Sequence, residues 1–350
     1  MNTLTKTFFD LVKIDSPSGE EDALREYLIK RLKKAGINTN IDTAGNLFVS
    51  VDGVGGPLLL SCHLDTVEPG RGIKPRIKKG VIESSGDTIL GADNKVAVAT
   101  MLHLLENLPE KHAPIEVVFS VREETDGGIN QFDFSQLKSK QGIVADSSTK
   151  VGTMITASPW IKDIVIEVIG KSAHSARPEE GRNALTAVSK VLASLTWGRV
   201  SETTTANIGI IAGGTGTNTI PEKVRLEGEL RSFSAEAIVS QLKHIKDTFE
   251  EVCHRENLSM KITVNDYCNG YVLEKTDPAI LKLSRVFAVN SIQTHFKISH
   301  GGSDANAFND HGITVVNIGD GSKNAHTVDE CIEVKELERL FEVIECYVSI

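Results

Sequence analysis

The feature that most constrains the fold of this chain is the alternation of helix-like and strand-like segments along its first half. Apolar residues recur at helical spacing over residues 3–13, 23–34 and 94–108, and Asp93 is placed to cap the last of these helices. Short apolar runs of strand length lie between them, at residues 47–51, 57–62, 115–121 and 142–145. This alternation predicts an α/β sheet with helices on both faces.

A different pattern begins near Trp160. Residues 161–169 alternate apolar and polar side chains, and then come a helix (183–197), two strands (204–212 and 223–231), a helix (235–257) and a strand (259–266). This β-α-β-β-α-β order is the ferredoxin-like split unit. After Tyr271 the α/β pattern returns, with helices at 278–289, 304–310 and 334–348 and strands at 294–298 and 313–318. We therefore expect a domain of residues 1–160 and 267–350 that is interrupted by a smaller one, residues 161–266.

Acidic and histidine residues follow several of the predicted strands. His63 and Asp65 come after one strand, the pair Glu123 and Glu124 after another, and Asp146 after a third. His326 lies beyond the last strand, and Asp93 opens a helix. Because ligands of open α/β sheets bind beyond the carboxyl ends of the strands, one cleft could gather all seven. Two histidines and three carboxylates suffice to hold two zinc ions if one carboxylate bridges them, and two acids remain for supporting roles.

Composition argues against several other classes of protein. The net charge of −9, the absence of a basic face and an aromatic content of 5% are unlike a nucleic-acid binder. The longest apolar runs are far shorter than a membrane span, and the first residues lack a signal-peptide pattern. Five scattered cysteines without a C-x-x-C pair are typical of reduced thiols. We expect a cytoplasmic protein that binds neither nucleic acid nor membrane.

Each of these motifs is weak when it stands alone. A single H-x-D triplet or a pair of adjacent glutamates is usually a solvated turn, so the metal hypothesis depends on the whole set. The glycines at 53–56 and 213–216 lack the spacing of a phosphate loop and indicate turns. Ser303 lacks the second glycine of a nucleophile elbow, which argues against a serine hydrolase.

Taken together, the motifs resemble those of the M20 metallopeptidases, and within that family the peptidase T-like, or tripeptide aminopeptidase-like, branch. The resemblance runs from the first helix to the last, with the motifs in the family's order. The segments that carry it are Ser61-Cys62-His63-Leu64-Asp65-Thr66-Val67, Gly91-Ala92-Asp93-Asn94-Lys95, Arg122-Glu123-Glu124, Asp146, Gly170-Lys171-Ser172-Ala173-His174-Ser175 and Asn324-Ala325-His326-Thr327.

The resemblance implies a role for each residue of the predicted cleft. His63 and Asp146 would hold one Zn²⁺, Glu124 and His326 the other, and Asp93 would bridge them. Mn²⁺ or Co²⁺ could replace zinc at such ligands. Asp65 would orient His63, and Glu123 would be the general base. The implied fold is a zinc-peptidase-like α/β catalytic domain with an inserted ferredoxin-like α+β domain, which serves as a lid and for dimerisation.

The resemblance also implies substrate-binding groups in and near the inserted domain. His174 resembles a histidine that donates to the oxyanion of the reaction, often in the partner subunit's site. Asn218, Arg231 and His300 resemble groups that hold the substrate, and an arginine suits a peptide carboxylate. The expected partners are a small peptide and, through the lid, a second copy of the chain.

Alternatives remain open at this stage. Relatives in the same superfamily act as carboxypeptidases or remove acyl groups from amino acids, with the same chemistry at zinc. His300 stands where the tripeptidases would be expected to have arginine, and the chain is short for one of them. A non-catalytic peptide-binding module is a further alternative, although every expected position is filled. The β-α-β-β-α-β insert argues against the related two-zinc aminopeptidases that carry a barrel-like insert.

Overall fold

The computed structural model describes residues 2–125 and 127–350, so Met1 and Asp126 of the predicted larger domain lie outside it. The described residues form two compact units. The first consists of the described residues within Met1–Thr156, Leu273–Ser299 and Ser303–Ile350. The second unit comprises Ala157–Val272 and His300–Gly302. Within the described residues no helix is long and apolar enough to cross a membrane.

The helices follow one another along the chain as α1 (Thr3–Val12), α2 (Asp22–Lys34), α3 (Ala92–Glu106), α4 (Ala184–Ser194), α5 (Ala235–Arg255), α6 (Pro278–Val289), α7 (Asp304–Asp310) and α8 (Val334–Val348). Short 3₁₀ helices cover Gly128–Gln131, Phe134–Gln136 and Pro178–Glu180.

The strands are β1 (Thr39–Ile41), β2 (Leu47–Val51), β3 (Leu58–His63), β4 (Pro75–Lys78), β5 (Val81–Ser84), β6 (Ile115–Ser120), β7 (Gln141–Ser147), β8 (Thr153–Ser158), β9 (Trp160–Ile169), β10 (Gly198–Arg199), β11 (Thr204–Gly213), β12 (Lys223–Ser232), β13 (Ser259–Cys268), β14 (Tyr271–Val272), β15 (His295–Ile298), β16 (Thr314–Gly319), β17 (Ser322–Lys323) and β18 (Cys331–Glu333).

The first unit is built on a sheet with the strand order β1-β2-β6-β3-β7-β16-β8. The central strands β6, β3, β7 and β16 are parallel to one another, and their carboxyl ends therefore lie along one edge. Strands β3 and β6 are buried along their whole length, as expected for parallel strands covered on both faces. A small separate sheet has the order β17-β18-β5-β4.

Local sequence accounts for several helix ends in the first unit. The side chain of Asn2 caps α1 by accepting the N–H of Thr5 at 2.8 Å. Helix α6 begins at Pro278, whose fixed φ suits the first helical position. Its lack of an N–H costs nothing there, because the first N–H groups of a helix have no acceptor within the helix. Gly36 takes a φ of +79° just beyond the end of α2, as a glycine C-cap does.

The second unit has the ferredoxin-like fold predicted from the sequence. Its elements run β9-α4-β11-β12-α5-β13, and its antiparallel sheet has the order β11-β12-β9-β13, with the short β10 beside β11. The alternating residues Ile164, Ile166 and Val168 of β9 are buried in an apolar core with α4 and α5. The other face of the strand carries Asp163, Val165 and Glu167, which are only partly buried.

The structure corrects the sequence analysis at Asp93 and adds strands that were not predicted. Gly91 stands at the N-cap position of α3 without a side-chain hydrogen bond, and the Asp93 carboxylate faces His63 and His326, so the prediction that Asp93 caps this helix is wrong. The hairpin of β4 and β5 was not predicted. Its turn is Lys79-Gly80, with φ of +52° and +81°, and lysine is an unusual residue at positive φ.

Candidate functional site

The predicted metal ligands lie at the carboxyl edge of the parallel strands. His63 is the last residue of β3, and Asp146 is the residue before the end of β7. Glu123 and Glu124 follow β6 after a short turn. The structure thus brings together groups that are far apart in the sequence, at the edge where α/β sheets bind their ligands.

His63 directs one ring nitrogen at two carboxylates. Its Nε2 lies 3.2 Å from Oδ1 of Asp93 and 3.4 Å from Oδ1 of Asp146. The other nitrogen, Nδ1, lies 3.0 Å from the backbone carbonyl oxygen of Asp65 and 3.3 Å from its carboxylate. Since Asp65 accepts a hydrogen bond at Nδ1, the ring is oriented with Nε2 towards the carboxylates.

His326 makes the equivalent arrangement on the other side of Asp93. Its Nε2 lies 2.8 Å from Oε1 of Glu124 and 3.5 Å from Oδ2 of Asp93. His326 has a φ of +65°, a conformation that the surrounding turn imposes on a residue with a side chain. The two oxygens of Asp93 are therefore divided between the two histidines.

Asp65 also fixes the position of the two glutamates. Its carboxylate accepts the backbone N–H groups of Glu123 at 3.0 Å and of Glu124 at 3.1 Å, and the hydroxyl of Ser18 at 2.6 Å. The Asp65 side chain is fully buried, so these bonds are not exchanged with water. One acid thus connects the His63 strand with the glutamate turn.

The carboxylates raise the pKa of both histidines. Hydrogen bonds with Asp93 and Glu124 raise the pKa of His326 to about 10. Burial by itself would lower the pKa of His63, but hydrogen bonds, first of all that with Asp146, outweigh burial and raise the pKa well above its usual value. The acids therefore favour the protonated, positively charged form of both rings.

The pKa values of the acids are shifted in different directions. Burial raises the pKa of Asp146 to about 7, and burial together with the charge of Asp146 raises the pKa of Glu123 well above its usual value. Burial would also raise the pKa of Asp93, but the hydrogen bonds from the two histidines lower it. An excess of carboxylates in a half-buried cluster costs free energy unless cations compensate for it.

The donor atoms fit a pair of metal ions. Two groups of three ligands, His63-Asp93-Asp146 and Asp93-Glu124-His326, each have their donor atoms within 4.8 Å of one another. Asp93 belongs to both groups. A third group combines His63 with Glu123 and Glu124. Imidazole nitrogens and carboxylate oxygens in such sets are ligands for divalent transition ions.

Sequence reasoning missed Glu330, which supports the Asp93 segment. Its carboxylate accepts the N–H of Gly91 at 2.6 Å with one oxygen and the N–H of Asp93 at 2.8 Å with the other. The side chain is 1% exposed, and burial raises its pKa to about 7. Glu330 lies four residues after His326, so it connects the segments that carry two candidate ligands. The only sequence signal was its place close to the His326 motif.

Further buried polar groups surround the cluster. Asp304, at the start of α7, accepts a hydrogen bond from the hydroxyl of Ser120 at the end of β6. Asp320 directly follows β16 and is fully buried. The side-chain amide of Asn317 accepts the backbone N–H of Asp146 and donates to its carbonyl oxygen, each at 3.1 Å. Asp320 follows a strand as the candidate ligands do, and that pattern could have revealed it.

Two predicted residues of the second unit, His174 and Asn218, lie on neighbouring segments. His174 forms an isolated antiparallel bridge with Thr219, and the N–H of Ser175 donates to the carbonyl oxygen of Asn218 at 2.9 Å. Both His174 and Asn218 are exposed. Nδ1 of His174 accepts the N–H of Ala176 at 3.1 Å, which leaves Nε2 as the ring nitrogen able to donate a hydrogen bond.

The other two, Arg231 and His300, form a second pair in this unit. The Arg231 guanidinium donates to the His300 carbonyl oxygen. It also forms a two-pronged ion pair with Glu229, with distances of 2.6 and 2.7 Å. The His300 ring packs edge-on against Phe233, with ring centroids 5.9 Å apart. Glu229, which sequence reasoning missed, thus already neutralises the cation that was predicted to bind a carboxylate.

Comparisons with known proteins identify the family of the chain. The model of peptidase family M20/M25/M40 matches residues 59–349. The aminopeptidase PepT of Bacillus cereus ATCC 10987 has a similar structure, with a TM-score of 0.93 and 32% identity over 99% of this chain and 97% of that one. A tripeptidase of Staphylococcus aureus subsp. aureus Mu50 has a TM-score of 0.92, with 32% identity over 99% and 96%.

Among curated proteins, the uncharacterized protein YqjE of Bacillus subtilis (strain 168) is 32% identical over 97% of this chain and 96% of its own length. The family match covers most of the chain, and the structural matches cover nearly all of it, including the ferredoxin-like insert. The predicted α/β fold with its insert is thereby confirmed. The chain belongs to peptidase family M20/M25/M40, in its peptidase T-like branch, and is a metal-dependent peptide hydrolase.

Proposed function

We propose that this chain is a two-zinc aminopeptidase that removes the N-terminal residue from short peptides. The observation that carries the proposal is the position of Asp93, whose two oxygens face the ring nitrogens of His63 and His326. A carboxylate so placed can bridge two ions, as a co-catalytic pair requires. The similarity to an aminopeptidase PepT and to a tripeptidase supports the choice of substrate.

In this proposal, His63 and Asp146 hold one Zn²⁺, Glu124 and His326 hold the other, and Asp93 bridges them. Bound ions would supply Lewis-acid chemistry, that is, polarisation of the scissile carbonyl and a lower pKa of water. Mn²⁺ or Co²⁺ can take the same ligands.

Glu123 is the proposed general base. Its backbone is held by Asp65, and its carboxylate shares a group of close donor atoms with His63 and Glu124. Burial raises its pKa, which favours a group that takes a proton from water and passes it to the leaving amine. General acid–base catalysis of this kind contributes roughly 10²–10⁴-fold to a rate.

The second unit is proposed to act as a lid that contributes substrate contacts. The free Nε2 of His174 suits donation to the oxyanion of the tetrahedral intermediate. Asn218, Arg231 and His300 are proposed to hold the peptide. The domains proposed for these roles are residues 1–160 and 267–350 for catalysis and 161–266 for the lid.

A carboxypeptidase or an N-acyl-amino-acid deacylase is the second candidate function. Arg231 is compatible with this function, because an arginine can bind the carboxylate that these enzymes recognise, although it is equally compatible with an aminopeptidase that holds the carboxylate of a short peptide. The ion pair of Arg231 with Glu229 weakens that argument, since a substrate carboxylate would have to compete with a carboxylate already in place.

We also propose a homodimer that forms through the edge of the second unit. Strand β11 pairs with β12 along one side, but on the other side β10 covers only Thr205 and Ala206. The remaining edge carries the exposed side chains of Ile210 and Ile211, which are 56% and 53% exposed. An apolar edge strand without a neighbour is a site for pairing with a second copy. Light scattering at micromolar concentration should give a dimer, which Ile210→Arg dissociates; a monomeric wild type would contradict this.

The five free cysteines support a reducing compartment such as the cytoplasm as the place where the enzyme acts.

The test of the proposed activity is the hydrolysis of one tripeptide in three forms by the zinc-loaded protein. The forms are free, N-acetylated and C-terminally amidated. An aminopeptidase cleaves the free and the amidated peptide and fails on the acetylated one. Cleavage that survives acetylation and needs the free carboxylate would instead establish the second candidate function. Glu123→Gln should abolish either activity without loss of metal, whereas the exposed control Glu342→Gln should leave it unchanged.

A further inference from the structure

A second candidate site lies in the first unit, in a cavity of about 360 Å³ that none of the proposed metal ligands lines. Its walls come from the turn after β7, from β15, from β17 and from the beginning of α8. A cavity of this size accommodates a small organic molecule and is larger than a single inorganic ion requires.

The lining of the cavity is strongly basic. Lys150, Lys297, Lys323, Lys335 and Arg339 line it, against only two carboxylates. The whole chain carries a net charge of −9, so this concentration of cations is opposite in sign to the protein as a whole. A concave surface lined by one sign of charge attracts ligands of the other sign.

Some of these cations are already neutralised. Glu333 forms ion pairs with Lys323 at 2.7 Å and with Lys335 at 2.8 Å. The second lining carboxylate, Glu336, bonds to Arg339 at 2.8 Å and accepts the N–H of Val151 at 3.1 Å. The acids of the cavity are thus fully engaged by its own cations and hold them in position.

Lys150 and Lys297 have no carboxylate partner among the residues that the structure describes. Their backbones are nevertheless held, because the carbonyl oxygen of Lys150 accepts the N–H of Thr153, and that of Lys297 accepts the hydroxyl of Thr156. Two ammonium groups on ordered backbone, facing one cavity, are suited to a ligand with at least two negative charges.

Neutral donors are present as well. The Ser322 hydroxyl is engaged by the buried carboxylate of Asp320 at 2.8 Å, but the hydroxyl-bearing residues Ser148 and Thr149 also line the cavity. Hydroxyl donors and ammonium groups together match the tetrahedral oxygens of a phosphate group, which accept several hydrogen bonds in addition to carrying charge.

We propose that this cavity binds a small organic phosphate, with the phosphate group between Lys150 and Lys297 and the organic part in the remaining volume. The site is independent of the proposed peptidase function. The same groups of the cavity would also recognise inorganic phosphate, and the two ligands are distinguished by their affinities.

The test is a calorimetric titration of the metal-loaded protein with glycerol 3-phosphate and, separately, with inorganic phosphate, at constant ionic strength. Glycerol 3-phosphate should bind saturably and more tightly than inorganic phosphate. The double variant Lys150→Gln/Lys297→Gln should weaken this binding at least tenfold. The control Lys33→Gln/Lys34→Gln removes the same charge from the exposed end of α2 and should leave binding unchanged.

A second measurement needs no variant. Acetylation of lysines in the wild-type protein, followed by mass spectrometry, should show that glycerol 3-phosphate protects Lys150 and Lys297 but not Lys33 or Lys34. The absence of saturable binding would overturn the proposal. So would binding that the double variant leaves unchanged, because the phosphate would then sit elsewhere, for example on the metal ions.

Discussion

Glu330 offers a sharp test of how the proposed metal centre is held together. Its two oxygens accept the N–H groups of Gly91 and Asp93 at 2.6 and 2.8 Å, in a site that is almost completely buried. Glu330→Gln keeps the shape of the side chain but replaces one acceptor oxygen by an NH₂ group. One of the two backbone N–H groups then faces a donor.

The expected size of the effect follows from that lost bond. Above its pKa of about 7 the Glu330 carboxylate is ionised, and a hydrogen bond to a charged group contributes about 1.5–3 kcal/mol; an unsatisfied buried N–H adds a cost of its own. Because the N–H of Asp93 is adjacent to the carboxylate proposed to bridge the ions, part of this loss should fall on metal binding. Changes in the groups that support ligands weaken metal binding by about 10–100-fold.

The assay is the zinc affinity of each protein, measured by competition with a chromophoric chelator, together with its melting temperature. Glu330→Gln should bind zinc at least tenfold more weakly than wild type, and the exposed control Glu342→Gln should bind it equally well. A variant with a lower melting temperature but a zinc affinity within about threefold of wild type would refute the reasoning, since Glu330 would then only stabilise the fold.

Two further predictions concern protons and substrate. The pKa of His326 is raised to about 10, so its ring is protonated at pH 7.5 and must lose a proton to bind metal. The pKa of His63 is raised as well, which adds to the proton release. Zinc binding should therefore release protons, measured by calorimetry in buffers of different ionisation enthalpy, and no release would contradict the assignment of the ligands. Glu229→Gln removes the carboxylate that is paired with Arg231. The KM for a free tripeptide should therefore fall, while the KM for its C-terminal amide stays constant. An equal change in both KM values would show that Arg231 does not bind the carboxylate of the substrate.

Much of the fold could be predicted because local patterns and tertiary packing agree. Helices α6, α7 and α8 begin and end where the sequence indicated. Strand β2 has the predicted bounds too, and the order of the ferredoxin-like unit follows from the alternation in β9 and the two long helices. Where apolar periodicity and end signals coincide, sequence alone is sufficient.

The rest depends on contacts between distant parts of the chain. The Lys79-Gly80 turn lacks the usual asparagine or aspartate signal, so the β4–β5 hairpin could not be recognised. Glu330 supports a segment 239 residues away, and no local pattern reveals such a partner. Glu229 looked like an ordinary strand residue until the structure paired it with Arg231. Sequence patterns thus identified candidate ligands, whereas the groups that support them needed the structure.

The most direct test of the central claim is the metal stoichiometry of wild type and of Asp93→Asn, measured by elemental analysis after equilibration with zinc. Asp52→Asn, in an exposed turn after β2, is the matched control. If Asp93 bridges two ions, wild type and control bind two zinc ions per chain, and Asp93→Asn retains at most one with high affinity. Two tightly bound ions in Asp93→Asn, or fewer than one in wild type, would contradict the account.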